Sequence, residues 1–339
     1  MKLKLLTGAL AVSAALGTVG VASAQTLQET RDRGALRCGV NTGLPGFGFQ
    51  DDAGEWAGLD VDYCRAVAAA IFGDPTAVTF SPLSAVQRFP ALQNNEVDIL
   101  SRNTTWTMSR DTTLGFEFVG VNYYDGQGFM VREELGVTSA LELSGATVCV
   151  QSGTTTELNL ADYFAANNLD YNPVVIESQA DVNQAYDSGR CDALTTDASG
   201  LYASRLELGN ADEHIVLPEI ISKEPLGPAV RAGDPQWFDI AKWVHFALLN
   251  AEELGVTQAN VEEMKQSDNV EIRRLLGTED AFGEGIGLSN DWAAQAIAAV
   301  GNYGEMFERN VGSGSPLGIA RGQNALWTDG GLQYAPPVR

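Results

Sequence analysis

Two segments of the chain share the same order of apolar and polar stretches. In the first, the apolar run RCGVNTG leads into a helical pattern, GLDVDYCRAVAAAIFG, and then into FPALQNNEVDILS. In the second, TVCVQSGTT leads into ELNLADYFAANN and then into VNQAYDSGRCDALTTD. Each segment predicts a strand, a Gly-containing loop and a helix, followed by a second helix and a short strand of the form x-Asp-x-Leu. Strands that alternate with helices predict parallel sheets.

In such sheets ligands bind outside the carboxyl ends of the strands. The polar loops NTTWTMSR, QSGTTTE and TTDAS all follow predicted strands. Because the loops of the two halves would face each other, we expect them to converge on one cleft.

The length of 339 residues is too great for one ordinary core and predicts two domains. We place the connections between the halves near 127–132 and 220–228. After the second connection, GPAVRAGD predicts a strand that returns to the first lobe, with a helix over 237–254 packed on it. The predicted boundaries are 25–130 plus 223–339 for lobe 1, with an extension over about 278–339, and 131–222 for lobe 2.

The extension is rich in Gly, Asn and aromatic residues. Its sequence predicts one helix over 289–300 and an otherwise irregular tail.

The first 24 residues have the pattern of an export signal. Lys2 and Lys4 precede an apolar run from Leu5 to Val21, and Ala22-Ser23-Ala24 forms a small-residue cleavage site. A retained membrane anchor is the alternative, but the run is rich in Ala, Gly, Ser and Thr and ends in the cleavage pattern. We therefore expect removal of residues 1–24 and a periplasmic location.

The chain is strongly acidic, with 21 basic and 44 acidic residues and a net charge of −23. Without Lys2 and Lys4, 19 basic residues remain against 44 acidic ones, which gives −25. Such a surface argues against nucleic acid or anionic lipid as a partner. It says little about a small ligand, because a pocket sets its own local potential.

Four cysteines in an exported chain predict two disulfides, formed among Cys38, Cys64, Cys149 and Cys191. A zinc site is the alternative. No C-x-x-C spacing supports it, and the two histidines, His214 and His245, lie in unrelated segments. We expect neither a metal nor a cofactor.

The stretch DILSRNTTWTMSR, which ends at Arg110, carries chemistry suited to a small carboxylate. A guanidinium can hold a carboxylate through two charge-assisted bonds, while Thr and Asn side chains supply oriented contacts around it. The alternative is a solvated loop with a surface arginine.

With LSRNTTWTMSRD as its most specific motif, the chain resembles the extracytoplasmic solute-binding proteins of family 3 that serve polar amino acid ABC transporters, above all their general L-amino acid-binding subgroup. The resemblance implies an α/β fold, the two-lobed type II periplasmic binding protein. Each lobe would be a parallel-rich sheet flanked by helices, and two crossover strands would form the hinge. It covers about 27–255 in general pattern and, for the subgroup, the whole chain.

The resemblance also assigns ligand-binding roles. The carboxylate-binding arginine falls on Arg110, and the polar positions before it fall on Asn103 and Thr105. In the second lobe, the GTT motif places Thr154 and Thr155 at the start of a helix, where exposed N–H groups favour an anion. The acidic residue for the ligand's α-ammonium falls on Asp197. A helix N-cap is the alternative role for that carboxylate.

An aromatic ring commonly covers the ligand in this family, and GLPGFGFQ offers Phe47 or Phe49. Trp106 and Leu83 are further candidates for apolar walls, although each side chain is equally suited to a core.

Members selective for cationic amino acids tend to carry an acidic residue after the first strand, where this chain has Asn41. An amide cannot compensate the desolvation of a buried cation as a carboxylate would. We therefore expect a broad preference for neutral polar and acidic L-amino acids.

The resemblance implies a monomeric periplasmic protein that closes on a free L-amino acid and delivers it to membrane permease subunits of an ABC transporter, without catalysis. A dehydratase-like enzyme on the same fold and a sensor domain are the alternatives.

For the disulfides we expect Cys38–Cys64 and Cys149–Cys191, since each pair joins a lobe's opening strand to a neighbouring element, whereas a bridge between lobes would hinder hinge motion.

Overall fold

Residues 25–339 are described by a computed structural model, and they form two lobes, each built on a five-stranded sheet. The predicted signal peptide, 1–24, lies outside the described residues. Within them, no helix combines the length and apolar character needed to cross a membrane.

The strands, in chain order, are β1 (Leu36–Val40), β2 (Phe49–Gln50), β3 (Trp56–Ala57), β4 (Val78–Pro82), β5 (Ile99–Leu100), β6 (Phe116–Phe118), β7 (Tyr123–Asp125), β8 (Gln127–Arg132), β9 (Thr147–Gln151), β10 (Asn172–Ile176), β11 (Ala193–Asp197), β12 (His214–Val216), β13 (Glu224–Leu226) and β14 (Ala229–Arg231).

The helices are α1 (Thr26–Arg33), α2 (Leu59–Phe72), α3 (Arg88–Gln93), α4 (Thr155–Ala166), α5 (Gln179–Asp187), α6 (Ala198–Glu207), α7 (Pro235–Glu253), α8 (Val261–Met264), α9 (Val270–Leu275), α10 (Phe282–Ile286), α11 (Trp292–Val300) and α12 (Tyr303–Asn310). A single π-helical turn spans Ser109–Thr113.

Both sheets are mixed, with a parallel core. Lobe 1 has the order β4-β1-β5-β14-β6, and lobe 2 has the order β10-β9-β11-β8-β12. β1 is parallel to β4 and β5, and β9 is parallel to β10 and β11. The antiparallel pairs involve β14 and β8, the strands that enter each lobe directly from a crossing. The parallel core matches the sequence pattern, and the crossing strands add the antiparallel part.

The two crossings lie side by side as a two-stranded antiparallel sheet, β7 with β13. The first crossing therefore falls at 123–125, ahead of the expected 127–132, because β8 belongs to the sheet of lobe 2. The second crossing falls inside the expected 220–228. The first lobe boundary consequently lies several residues before 130.

Each lobe contains one of the expected disulfides. Cys38 on β1 is bonded to Cys64 on α2, and Cys149 on β9 is bonded to Cys191 just before β11. No disulfide joins the two lobes within residues 25–339.

The C-terminal extension is part of the lobe 1 core. Alanine-rich faces of α2 and α11 pack against each other, and Phe307 of α12 is fully buried. The sequence predicted α11 but not α12, which begins with a capping box between Asn302 and Glu305. Arg309 of α12 forms a salt bridge of 2.7 Å with Asp62 of α2.

The extension is also fastened to the hinge. The side-chain amide of Asn324 accepts a hydrogen bond from the backbone N–H of Tyr124 at 2.6 Å and donates to its carbonyl at 3.1 Å. Tyr303 donates to the carbonyl of Asn122 at 2.9 Å. The strand β7 is therefore held to lobe 1 from outside its own sheet.

Candidate functional site

The loops that follow the parallel strands meet between the lobes, as the sequence predicted. Six expected residues line the cleft: Asn41, Asn103, Thr105, Thr154, Thr155 and Asp197. The hydroxyls of Thr105 and Thr155 approach to 3.2 Å across it. The space left is about 20 Å³, close to the room needed by one water molecule. The lobes are thus closed on each other, and the larger cavities of about 220 and 380 Å³ lie beside the C-terminal extension.

The loop of lobe 1 is held in place by a buried carboxylate. Asp60, at the start of α2, accepts hydrogen bonds from the backbone N–H of Asn103 at 2.7 Å and from the hydroxyl of Ser101 at 3.1 Å. Asn103 has a φ of 33°, in the left-handed region. Its amide oxygen accepts from Nδ2 of Asn41 at 2.9 Å. A strained residue held this firmly is typical of a binding site.

The loop of lobe 2 opens α4, as expected for the GTT motif. Thr154 is the N-cap, and its hydroxyl accepts from the N–H of Glu157 at 3.1 Å. The N–H of Gly153 donates to the Glu157 carboxylate at 2.9 Å. The first turn is therefore well formed, and part of its anion-binding capacity is already used by its own glutamate.

Asp197 occupies the N-cap position of α6, but its side chain makes no capping hydrogen bond. It is buried and forms no salt bridge within residues 25–339. Burial raises its pKa well above the usual range, and repulsion from Asp125 and Glu224 adds to the rise, while attraction to Arg88 opposes it. A buried carboxylate in this state favours a cationic partner supplied by a ligand.

Arg110 lies behind the loop rather than in the cleft lining. Its Nη1 donates to the carbonyl of Thr105 at 2.7 Å, and its guanidinium stacks over the ring of Phe89 at 4.9 Å. Burial lowers its pKa to about 10, so that it stays charged at neutral pH. Arg110 thus supports Thr105, and it is close enough to Asp197 and Glu224 to interact with them electrostatically.

Two arginines that sequence reasoning missed do line the cleft, Arg88 of α3 and Arg102 after β5. Both are buried, at 3% and 2% exposure. Arg88 also lies against the ring of Phe89, at 4.7 Å. The sequence offered one signal for Arg102, its place inside the polar loop directly after a strand.

An acidic residue of the site, Glu224 on the hinge strand β13, was also not predicted from the sequence. Its carboxylate accepts hydrogen bonds from the hydroxyls of Thr105 at 2.6 Å and Thr155 at 2.8 Å. It also accepts from Nδ2 of Asn159 at 2.7 Å and from the hydroxyl of Ser222 at 2.8 Å. One buried carboxylate therefore joins lobe 1, lobe 2 and the hinge.

The structure does not bring the predicted apolar walls into the cleft lining. Phe47 is buried in the lobe 1 core, edge-on to Tyr123 at 5.2 Å. Leu83 packs in a separate lobe 1 cluster, although its carbonyl accepts a hydrogen bond from Arg102. Trp106 is 39% exposed and stacks on Phe118. Phe47 and Leu83 pack against the apolar clusters of their own lobe, and Leu44 is an apolar residue that lines the cleft.

Residues 36–267 match the model of the bacterial extracellular solute-binding proteins, family 3. The chain is 64% identical to the general L-amino acid-binding periplasmic protein AapJ of Rhizobium johnstonii over 341 residues, 100% of each protein. It is 56% identical to the glutamate/glutamine/aspartate/asparagine-binding protein BztA of Rhodobacter capsulatus over 340 residues, again 100% of each.

A solved structure has the same fold throughout. The ABC transporter/periplasmic binding protein from Brucella ovis with glutathione bound matches with a TM-score of 0.91 and 64% identity, over 93% of this chain and 99% of that one. These matches confirm the type II fold, the periplasmic location and the family resemblance drawn from the motifs. The chain belongs to the bacterial extracellular solute-binding proteins of family 3.

Proposed function

We propose that this protein binds free L-amino acids between its lobes and delivers them to the permease subunits of an ABC transporter. The observation that carries the proposal is Asp197, a buried carboxylate in the cleft without a salt-bridge partner among residues 25–339. An α-ammonium would supply that partner. The names of the relatives AapJ and BztA support the same ligand class.

The ligand's α-carboxylate is assigned to the opposite set of groups. Thr105 and Thr155 present hydroxyls from the two lobes at one point of the cleft, and Arg110 lies directly behind Thr105. The helix α4 begins at the same point, and its N-terminus favours an anion. In the closed structure Glu224 accepts from both hydroxyls, so the ligand's carboxylate would compete with Glu224 for them.

The ligand range is proposed to cover neutral polar and acidic L-amino acids, because Asn41 offers an amide where a cation-selective site needs a charge. γ-Glutamyl peptides are a second candidate class, favoured by the glutathione named for the Brucella relative. Such a peptide carries a free α-amino and α-carboxyl end, but it is larger than a free amino acid and would require the lobes to stand further apart.

No chemical conversion is proposed, and the protein is proposed to act as a monomer. Calorimetry with the protein amino acids, glutathione and prephenate-like acids, with product analysis after each titration, tests whether each compound binds and whether it is converted. We expect saturable heat with amino acids and unchanged ligand afterwards. Absence of heat with every amino acid would overturn the binding proposal, and a converted ligand would favour the dehydratase-like alternative.

A further inference from the structure

The guanidinium of Arg102 forms hydrogen bonds through two of its three nitrogens. Nε donates to the carbonyl of Leu83 at 2.8 Å, and Nη1 donates to the amide oxygen of Asn103 at 3.3 Å. Nη2 is buried and has no hydrogen-bond partner in the described chain. A buried charged donor without an acceptor is unfavourable, so this nitrogen is poised for an acceptor that the protein itself does not supply.

Arg88 lines the same cleft and is similarly short of partners. Its Nη1 reaches the hydroxyl of Thr104 at 3.4 Å, while its buried Nε has no partner among residues 25–339. Neither Arg88 nor Arg102 forms a salt bridge with a carboxylate of the described residues. This wall of the cleft therefore carries positive charge that is not neutralised by direct contact.

The groups that hold Arg102 are themselves fixed. Asn103, which accepts from Nη1, also accepts from Asn41 and has its backbone N–H bound to Asp60. A donor held by a rigid surrounding network loses little entropy when it binds, which is the condition for selective recognition.

We infer that Nη2 of Arg102 binds a second carboxylate, located on the ligand's side chain, and that Arg102 thereby selects dicarboxylic L-amino acids. This inference rests on the proposed function, which already uses Asp197 for the ammonium and Arg110 with the threonine hydroxyls for the α-carboxylate. A side-chain amide offers Nη2 only a neutral acceptor, which makes a weaker bond than a carboxylate. A cationic side chain is repelled by Arg88 and Arg102 together.

Glutamate and glutamine provide the sharpest comparison, because they have nearly the same shape and differ in this one charge. In calorimetric titrations of the wild-type protein, we expect glutamate to bind at least as tightly as glutamine. A wild-type protein that prefers glutamine by tenfold or more would overturn the inference without any variant.

The variant Arg102→Met removes the charge and keeps much of the buried stem. We expect glutamate to lose more affinity than glutamine, so that the ratio of glutamate to glutamine affinity falls at least tenfold. The matched control is Arg231→Met, since Arg231 is a lobe 1 arginine outside the cleft lining that donates to the carbonyls of Leu92 and Val97. The control should leave the ratio unchanged.

Circular dichroism melts establish that each variant is folded. If Arg102→Met does not fold, Arg102→Lys keeps a charge but loses the planar fork, and the ratio should then fall at least threefold. An unchanged ratio in the folded variant overturns the inference alone, because both ligands still bind. A wild-type protein that binds no amino acid overturns the proposed function, and this inference with it.

Discussion

Glu224 on the hinge accepts a hydrogen bond from the hydroxyl of Thr155 in lobe 2 at 2.8 Å. Because the same carboxylate accepts from Thr105 in lobe 1, it links the two lobes directly. Hydrogen bonds to a charged group contribute about 1.5–3 kcal/mol each. The closed arrangement is therefore stabilised by the protein's own carboxylate.

We expect Glu224→Gln to open the ligand-free protein, because the amide weakens the hydroxyl bonds from both lobes. Small-angle scattering should show a larger radius of gyration without ligand than in the wild type. Glu219→Gln is the matched control, since Glu219 accepts from Ser139 and Ala140 within lobe 2. Identical scattering of wild type and Glu224→Gln would show that Glu224 does not hold the lobes closed.

Arg110→Ala should abolish amino acid binding. The substitution removes both the expected carboxylate partner and the donor that fixes the carbonyl of Thr105. Losing the partner of a buried charge typically costs about 2–5 kcal/mol. Arg110→Lys should restore only part of the affinity, because an ammonium cannot form the two parallel hydrogen bonds that a guanidinium makes to a carboxylate. Titration calorimetry measures both, and near-normal affinity in the alanine variant would contradict the assignment.

Asp197→Asn should weaken α-amino acids far more than the matching α-hydroxy acids, since only the amino acids carry the ammonium. The substitution should not lower the melting temperature by weakening α6, because the Asp197 side chain makes no capping hydrogen bond in that helix. Equal losses for the two ligand series, measured by calorimetry, would assign Asp197 a structural role instead.

Affinity for α-amino acids should rise with pH through the raised pKa of Asp197 and level off above it. In the free protein the raised pKa means that the carboxyl group holds its proton to higher pH, and an ammonium binds the ionised form. Asp125 lies close by, and burial raises its pKa to about 6, so its titration contributes to the same profile. Asp197→Asn should flatten the profile, and a persistent slope of equal size would place the effect elsewhere.

Asn41→Asp should shift the ranking toward cationic amino acids and away from glutamate, by attraction and repulsion in the closed cleft. In the wild type, Nδ2 of Asn41 donates to the amide oxygen of Asn103. A carboxylate at position 41 has no N–H to donate, so this hydrogen bond is lost and the carboxylate is repelled by the Asn103 oxygen. A panel of binding constants tests the ranking. An unchanged order, or a wild-type protein that prefers arginine by tenfold, would show that side chains are selected elsewhere.

The position of the cleft was predictable from the sequence. The pattern of apolar and polar residues predicts parallel strands, and the polar loops come directly after those strands. The ligand-binding roles of Asn103, Thr105, Thr155 and Asp197 came from the family resemblance and stay predictions, although all four residues line the cleft. Glu224 was missed because it lies far along the chain from those loops and reaches them only when the hinge strands pair.

The other differences also have physical causes. Arg88 resembles a surface residue in the sequence, but its side chain is buried in the cleft lining. Phe47 was expected near the ligand, but the same glycine-rich segment turns its ring into the lobe 1 core. The helix α12 was predictable in principle, since Asn302 and Glu305 have the spacing of a capping box.

The bonds between Asn324 and Tyr124 affect where the molecule can bend. They tie the first hinge strand to the C-terminal extension, which packs into lobe 1. The chain enters lobe 2 directly after this strand, at Gly126, where an added Cβ would lie 2.2 Å from Ile220. We therefore expect any movement between the lobes to occur on the lobe 2 side of Tyr124, with the first hinge strand and the extension moving as part of lobe 1.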